Sequence, residues 1–172
     1  MCKNLVEKGN LDEPLLIYNR TTKRAEDLAS KIGHSTVVTS IQDAVSKADI
    51  IFYCLGEDPS VLSMVDEIFK ADISGKVLVD CSTVHPDTTA KEAQLVKEKG
   101  GQFVACPVFG APAMADAGQL ICVLAGDSAA VDKVKPYCKG VIGRENIDLS
   151  GQEPSKATLL KVRPMSCASH GD

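Results

Sequence analysis

The sequence predicts a doubly wound α/β domain. Short apolar runs alternate with segments of helical periodicity along nearly the whole chain. Several of these runs, Ile50–Leu55 above all, lack the polar alternation of a strand with one wet face, so they suit a parallel sheet covered on both sides. The helical segments between them are long enough to cross back over such a sheet.

The elements follow in order. Cys2, Leu5 and Val6 mark a helix that stops at Gly9, and Leu15–Tyr18 is a short strand closed by Asn19-Arg20-Thr21-Thr22. Ala25, Leu28, Ala29 and Ile32 fall at i, i+3, i+4 and i+7, one face of a helix ending at Gly33. Thr36–Val38 reads as a strand. Ser40 and Asp43 have the spacing of a helix start, continued by Ile41, Ala44, Val45 and Ala48. After the strand Ile50–Leu55, the turn from Gly56 to Ser60 leads to a helix with Val61, Met64, Val65, Ile68 and Phe69 inward. Lys76–Asp80 is a strand, and Pro86–Lys99 is a helix stopped by Gly100-Gly101. Phe103–Cys106 and Gln119–Ala125 are strands bracketing a loop rich in Gly, Ala and Pro. Asp127 caps a helix with Val131, Val134 and Cys138 inward. Gln152–Lys161 reads as one more helix, whereas Val162–Asp172 has no periodicity and reads as a frayed end. Residues 1–150 thus form one domain, followed by a helix start and tail over 151–172.

Composition narrows the function classes. The chain has 172 residues, with 44% hydrophobic and 24% charged, which is ordinary globular composition. Nineteen basic against 23 acidic residues give a net charge of −4, with no dense Lys/Arg stripe, which disfavours nucleic acid as a partner. No apolar run approaches the roughly 18 residues of a membrane span, and the first residues lack the apolar core of a secretory signal. The seven cysteines show no C-x-x-C spacing, and the three histidines lie far apart. Four of the cysteines sit inside apolar runs, where Cys behaves as a small core residue. The expectation is no metal site, no disulfide framework and a reducing, cytoplasmic setting.

In a doubly wound sheet, ligands bind beyond the carboxyl ends of the strands. After Leu15–Tyr18 stands Asn19-Arg20-Thr21. An acidic residue here would suit a ribose hydroxyl, whereas Arg with small polar neighbours suits a phosphate. A helix cap with a solvated Arg is the alternative. After Ile50–Leu55 comes Gly56, where backbone can pass close to a ligand. After Lys76–Asp80 come Ser82 and Thr83, and after Phe103–Cys106 comes Pro107-Val108-Phe109-Gly110-Ala111-Pro112.

Cys54-Leu55 followed by Val61, Asp80-x-Ser82-Thr83-x-x-Pro86, and Pro107-Val108-x-Gly110 with Ala115, Gly118 and Leu120 beyond it resemble the β-hydroxyacid dehydrogenase family. That family includes 3-hydroxyisobutyrate dehydrogenase and, more distantly, 6-phosphogluconate dehydrogenase, and the resemblance runs from residue 1 to about Lys161. It implies an NADP-binding Rossmann-like domain of an oxidoreductase that moves hydride between cofactor and a small β-hydroxyacid. By the same resemblance, Asn19, Arg20 and Thr21 select the adenosine phosphate of NADP over NAD. Leu55 and Gly56 line the cofactor, and Thr83 reaches its nicotinamide end. Ser82 and the loop Phe109-Gly110-Ala111 bind substrate, and Lys161 is the catalytic lysine, with Lys156 as the lesser candidate.

The chain also departs from the family pattern. It contains no G-x-G-x-x-G turn, and Met1–Leu5 reads as the helix that follows such a turn. The strand before that turn would lie mid-sheet, so the unit Leu15–Val38 is expected to lack a direct partner in the sheet that contains Ile50–Leu55, leaving backbone rows open. Phe109 and Ala111 stand where Ser and Gly are usual. After Lys161 comes Val162-Arg163-Pro164-Met165, without the family's asparagine, and the family's all-helical second domain has no counterpart here. The expectation is an incomplete or inactive form. The alternatives are a non-catalytic nucleotide- or partner-binding module, and a chain that associates with itself or others through open sheet edges.

Overall fold

The computed structural model describes residues 1–167. Helix α1 (Cys2–Lys8) leads to strand β1 (Leu15–Ile17), helix α2 (Thr22–Ile32) and strand β2 (Ser35–Val37). Helix α3 (Ile41–Lys47), strand β3 (Ile50–Tyr53), helix α4 (Asp58–Ile68), strand β4 (Val77–Asp80), helix α5 (Pro86–Glu98) and strand β5 (Gln102–Ala105) complete the alternating part. Strand β6 (Val108–Phe109), helix α6 (Pro112–Asp116), strand β7 (Leu120–Gly126), helix α7 (Ser128–Val134), strand β8 (Gly143–Ser150) and helix α8 (Ser155–Cys167) follow. The doubly wound α/β class read from the sequence is the class observed.

Local chemistry sets the boundaries. Ser40 Oγ accepts the Asp43 N–H at 3.0 Å and so caps α3. Asp127 accepts from Ala129 N–H at 3.0 Å and Ala130 N–H at 3.4 Å at the start of α7. Gly33 ends α2 at φ 62°, a left-handed conformation that costs glycine little.

The sheet is split. β1 and β2 pair in parallel only with each other, Leu15 opposite Ser35 and Ile17 opposite Val37. The second sheet runs β3-β4-β5-β7, with β3, β4 and β5 parallel. The open edge expected beside Leu15–Tyr18 is therefore present, and β3 presents a second open edge. β4 is buried along its whole length, apolar through Val77–Val79 and closed by the buried Asp80.

Several elements differ from expectation. β7 runs antiparallel to β5 and to β6, which lie end to end along one flank of it, while β8 runs parallel along the other. The loop rich in Gly, Ala and Pro contains β6 and α6. β8 escaped sequence reading because it is an exposed edge bearing Arg144, Glu145 and Asp148, charges that discourage pairing by other chains. Helix α8 passes through Val162–Cys167, so the tail expected to fray from Val162 is helical as far as Cys167; 168–172 lie outside the described residues.

Apolar residues pack on both faces of the sheet. One cluster joins Leu5, Val79, Val104, Leu124, Val131 and Ile142; the other joins Val45, Val61, Leu78, Val96, Val123 and Ala157. No helix of the described residues is long and apolar enough to cross a membrane.

Candidate functional site

Because β3, β4 and β5 are parallel, their carboxyl ends share one edge of the sheet. The residues after β1 and β3 open into a cleft of about 910 Å³, lined by Asn19, Arg20, Thr21, Arg24, Leu55 and Gly56 among others. Asn19 Oδ1 accepts the Thr21 N–H at 2.9 Å, a turn that sets Thr21 as the N-cap of α2. Arg20 and Arg24 are exposed, and neither forms an ion pair with a described residue. The mouth therefore carries uncompensated guanidinium charge beside a helix start, the electrostatics of an anion site. A Cβ built on Gly56 would meet nothing within 4 Å, so backbone there is open to close approach.

The β3 and β4 ends are tied together from below. Ser82 is buried, and its Oγ accepts the Leu55 N–H at 2.9 Å while its own N–H donates to Asp80 Oδ1 at 2.8 Å. Ser82 thus holds the loop after β3 in place from inside, whereas neighbouring Thr83 is exposed beyond the strand end. Deeper still, Tyr53 Oη donates to Glu92 Oε1 at 2.9 Å. Asp80 Oδ2 and Glu92 Oε2 are buried with no outside donor. Desolvation, with the neighbouring Asp80 charge, pushes the Glu92 carboxyl up to about 9. Burial also raises Asp80. Glu92 is therefore protonated at neutral pH, and its proton satisfies the pair. This network escaped sequence reading because Glu92 lies within α5 at a position that looks like an ordinary solvated helix residue.

Lys161 and the loop after β5 meet. Lys161 Nζ stands 4.2 Å from the centroid of the Phe109 ring, a cation–π contact. Lys161 is half-buried, and that burial lowers its pKa. Lys156 instead is exposed and donates to Gln152 Oε1 at 3.0 Å, in the turn just before its own helix. Gly110 sits at φ 145°, and a Cβ there would lie 2.7 Å from Leu120 Cδ2, so this bend requires glycine. Ala111 is exposed at the N-cap of α6.

The cysteines contain a surprise. Cys106, Cys122 and Cys138, far apart in sequence, bring their Sγ atoms within 4.8 Å of one another in the core. Ligand spacing along the chain gave no sign of this, because β5, β7 and the turn after α7 assemble it. Thiol contacts from Cys122, Cys138 and Cys81, and then burial, push the Cys106 thiol well up. Cys54, expected inside an apolar run, is exposed.

Residues 1–147 match the family profile described as the NAD binding domain of 6-phosphogluconate dehydrogenase. The chain belongs to that family. Among curated relatives, the NADH-dependent oxidoreductase ucdB of Aspergillus ustus is 39% identical over 162 residues, covering 94% of this chain and 54% of the relative. Glyoxylate/succinic semialdehyde reductase 1 of Arabidopsis thaliana is 30% identical over 172 residues, covering 98% of this chain and 57% of the relative. The reductive aminase of Aspergillus terreus, solved with NADPH and ethyl levulinate, shares the fold at a TM-score of 0.79 and 18% identity. That match covers 98% of this chain and 56% of the aminase. The chain spans about half the length of these relatives. As a member of the family it is an NAD(P)-binding domain of the oxidoreductase type.

Proposed function

We propose that the carboxyl edge of the sheet binds NADP(H) and serves hydride transfer between the dinucleotide and a small 3-hydroxyacid. The supporting observation is the placement of Lys161 against Phe109, with β6 continuing β5 past the strand ends that hold the cofactor-side residues. Asn19, Arg20 and Thr21, with Arg24, hold the adenosine phosphate. Leu55 and Gly56 line the middle of the dinucleotide, and Thr83 flanks its nicotinamide end. When bound, the nicotinamide supplies or accepts the hydride.

The chain's own residues do the remaining work. Lys161 moves a proton between Nζ and the substrate oxygen; its partial burial lowers its pKa and eases release of that proton. Backbone N–H groups of Gly110 and Ala111 are the donors this loop offers to a substrate carboxylate, because the Phe109 ring has none. Ser82 acts indirectly, holding the Leu55 backbone. Such a site accelerates chemistry by orienting substrate and cofactor, so the longer relatives' substrates are the ones to test.

A second reading, dinucleotide binding without turnover, draws support from Phe109, whose ring faces the ammonium that chemistry would use. Calorimetric titration with NADPH and NADH, followed by an absorbance assay with 3-hydroxyisobutyrate and succinic semialdehyde, separates the two. Binding with turnover supports the first reading; binding without turnover supports the second. No binding of either dinucleotide contradicts both.

A further inference from the structure

Three thiols from distant parts of the chain meet away from the dinucleotide edge, in the core. Cys106 follows β5, Cys122 lies on β7 and Cys138 stands in the turn after α7, and their Sγ atoms all lie within 4.8 Å of one another. Each of the three is 0% exposed. Cys81, just after β4, adds a further thiol contact to Cys106. An ion held by three thiolates at about 2.3 Å would set the sulfurs about 4 Å apart. The cluster therefore reaches that geometry through shifts of under about 1 Å in each separation.

The backbone fixes each position in advance. The Cys106 N–H donates to Asp80 C=O at 2.7 Å, and the Cys138 N–H donates to Lys135 C=O at 3.0 Å. Cys138 C=O in turn accepts the Gly143 N–H at 2.9 Å. Cys122 is paired on both sides, with Val108 of β6 and Asn146 of β8. Gly143 leaves the thiol its room, because a Cβ there would lie 3.1 Å from Cys122 Sγ and 2.5 Å from the Leu120 carbonyl oxygen. Ligands held in place before binding cost little further ordering. The donor set also selects the ion. Soft sulfurs favour thiophilic metals over the hard, oxygen-seeking ones. A structural zinc site closes with four ligands, whereas Cys81 touches Cys106 but stands outside the group of mutually close sulfurs. Three sulfurs without a fourth suit an ion content with trigonal coordination.

We propose that Cys106, Cys122 and Cys138 form a three-coordinate site for a soft monovalent ion of the Cu(I) class, bound within the core. The ion takes the place of thiol protons, which pass to solvent. It ties the turn after α7 to β7 and to the residue just before Pro107-Val108-Phe109, and so stiffens the base of that loop. Because the sulfurs are closed off from water, the ion enters and leaves only as fast as the domain opens.

The test uses the whole chain without dinucleotide, so that its outcome is separate from the cofactor reading. Cys2→Ser, Cys54→Ser and Cys167→Ser are combined, so that only the four clustered thiols remain. This protein is brought to equilibrium with Cu(I) buffered by bicinchoninate under ascorbate and then desalted. Copper per chain is measured by mass spectrometry, its neighbours by copper K-edge absorption, and stability by urea unfolding. The expected result is about one copper per chain with three sulfur neighbours, and a urea midpoint raised by the bound ion. Cys122→Ala and Cys138→Ala should each weaken retention by about tenfold or more, at least what losing an outer partner costs a metal site, while Cys81→Ala should retain the ion. Should either ligand variant fail to fold, the K-edge spectrum of the parent decides alone. No retained copper, equal retention in both ligand variants, or fewer than three sulfur neighbours overturns the proposal. Displacement of copper by equimolar zinc, with Cys81 as a fourth sulfur, overturns it as well.

Discussion

The ammonium of Lys161 lies 4.2 Å from the centroid of the Phe109 ring, joining α8 to the strand that extends β5. The contact brings together two residues 52 positions apart that the resemblance assigns to one site. It also stabilises the charged form of a lysine whose burial disfavours charge.

Replacing Phe109 with Leu keeps an apolar neighbour and removes the ring quadrupole. Lys161 should then titrate lower than in the parent protein, because desolvation acts without the compensating π face. Titration of the 13C-methylated lysine signals by NMR reads this directly. An unchanged or higher Lys161 value would mean that the ring does not hold the charge.

Arg20→Asp should weaken NADPH binding by about ten- to a hundredfold, in line with the roughly 1.5–3 kcal/mol of a hydrogen bond to a charged group. NADH binding should hold or improve, since the aspartate can accept from a ribose hydroxyl. The 39% identical relative named as NADH-dependent makes this a sharp comparison. Equal loss for both dinucleotides would remove Arg20 from the phosphate site.

Glu92 makes stability depend on pH. Its carboxyl titrates near 9 in the fold against 4.5 for the unperturbed group, so between those values the folded state holds a proton that the unfolded chain has released. Stability should accordingly fall as pH rises from about 4.5 toward about 9, by up to about 1.4 kcal/mol per pH unit for this proton. The raised Asp80 carboxyl acts with the same sign. In Glu92→Gln the amide can donate to Asp80 and accept from Tyr53, so urea midpoints across pH 6–9 should flatten relative to the parent. A slope identical to the parent's would contradict the protonated assignment.

Thiol labelling should divide the described cysteines. Cys81, Cys106, Cys122 and Cys138 are buried and should react with a disulfide reagent only as fast as the protein opens. Cys54 is exposed, but desolvation and its neighbours Cys81 and Asp80 push its thiol up to about 11, so at pH 8 it should react slowly for an exposed cysteine. Mass-resolved labelling in the native state and in denaturant measures both. Rapid native labelling of Cys106 would contradict the core packing.

Much of the fold was legible because its signals are local. The Ser40 and Asp127 caps, the glycine stop at Gly33 and the apolar run Ile50–Leu55 around β3 each show in a few neighbouring residues. The open edge beside β1 was legible too, from the absence of a partner strand. β8 was not, because an edge strand facing solvent carries Arg144, Glu145 and Asp148 and looks like a loop. The Cys106, Cys122 and Cys138 cluster and the Asp80–Glu92 pair were invisible for another reason: both depend on strand and helix packing across long separations. The candidate site divides the same way. Asn19–Thr21 and Leu55–Gly56 share a cleft as strand-end reasoning suggested, while the internal role of Ser82 emerged only from its hydrogen bonds.

The central claim is that a dinucleotide binds at the carboxyl edge of the sheet. An NMR titration of the 15N-labelled chain with NADPH tests it most directly. Saturable shifts concentrated at Asn19–Thr21, Leu55–Gly56 and Thr83 are the predicted result. Saturable binding that leaves these amides unmoved, or no saturable binding at millimolar dinucleotide, would contradict the account.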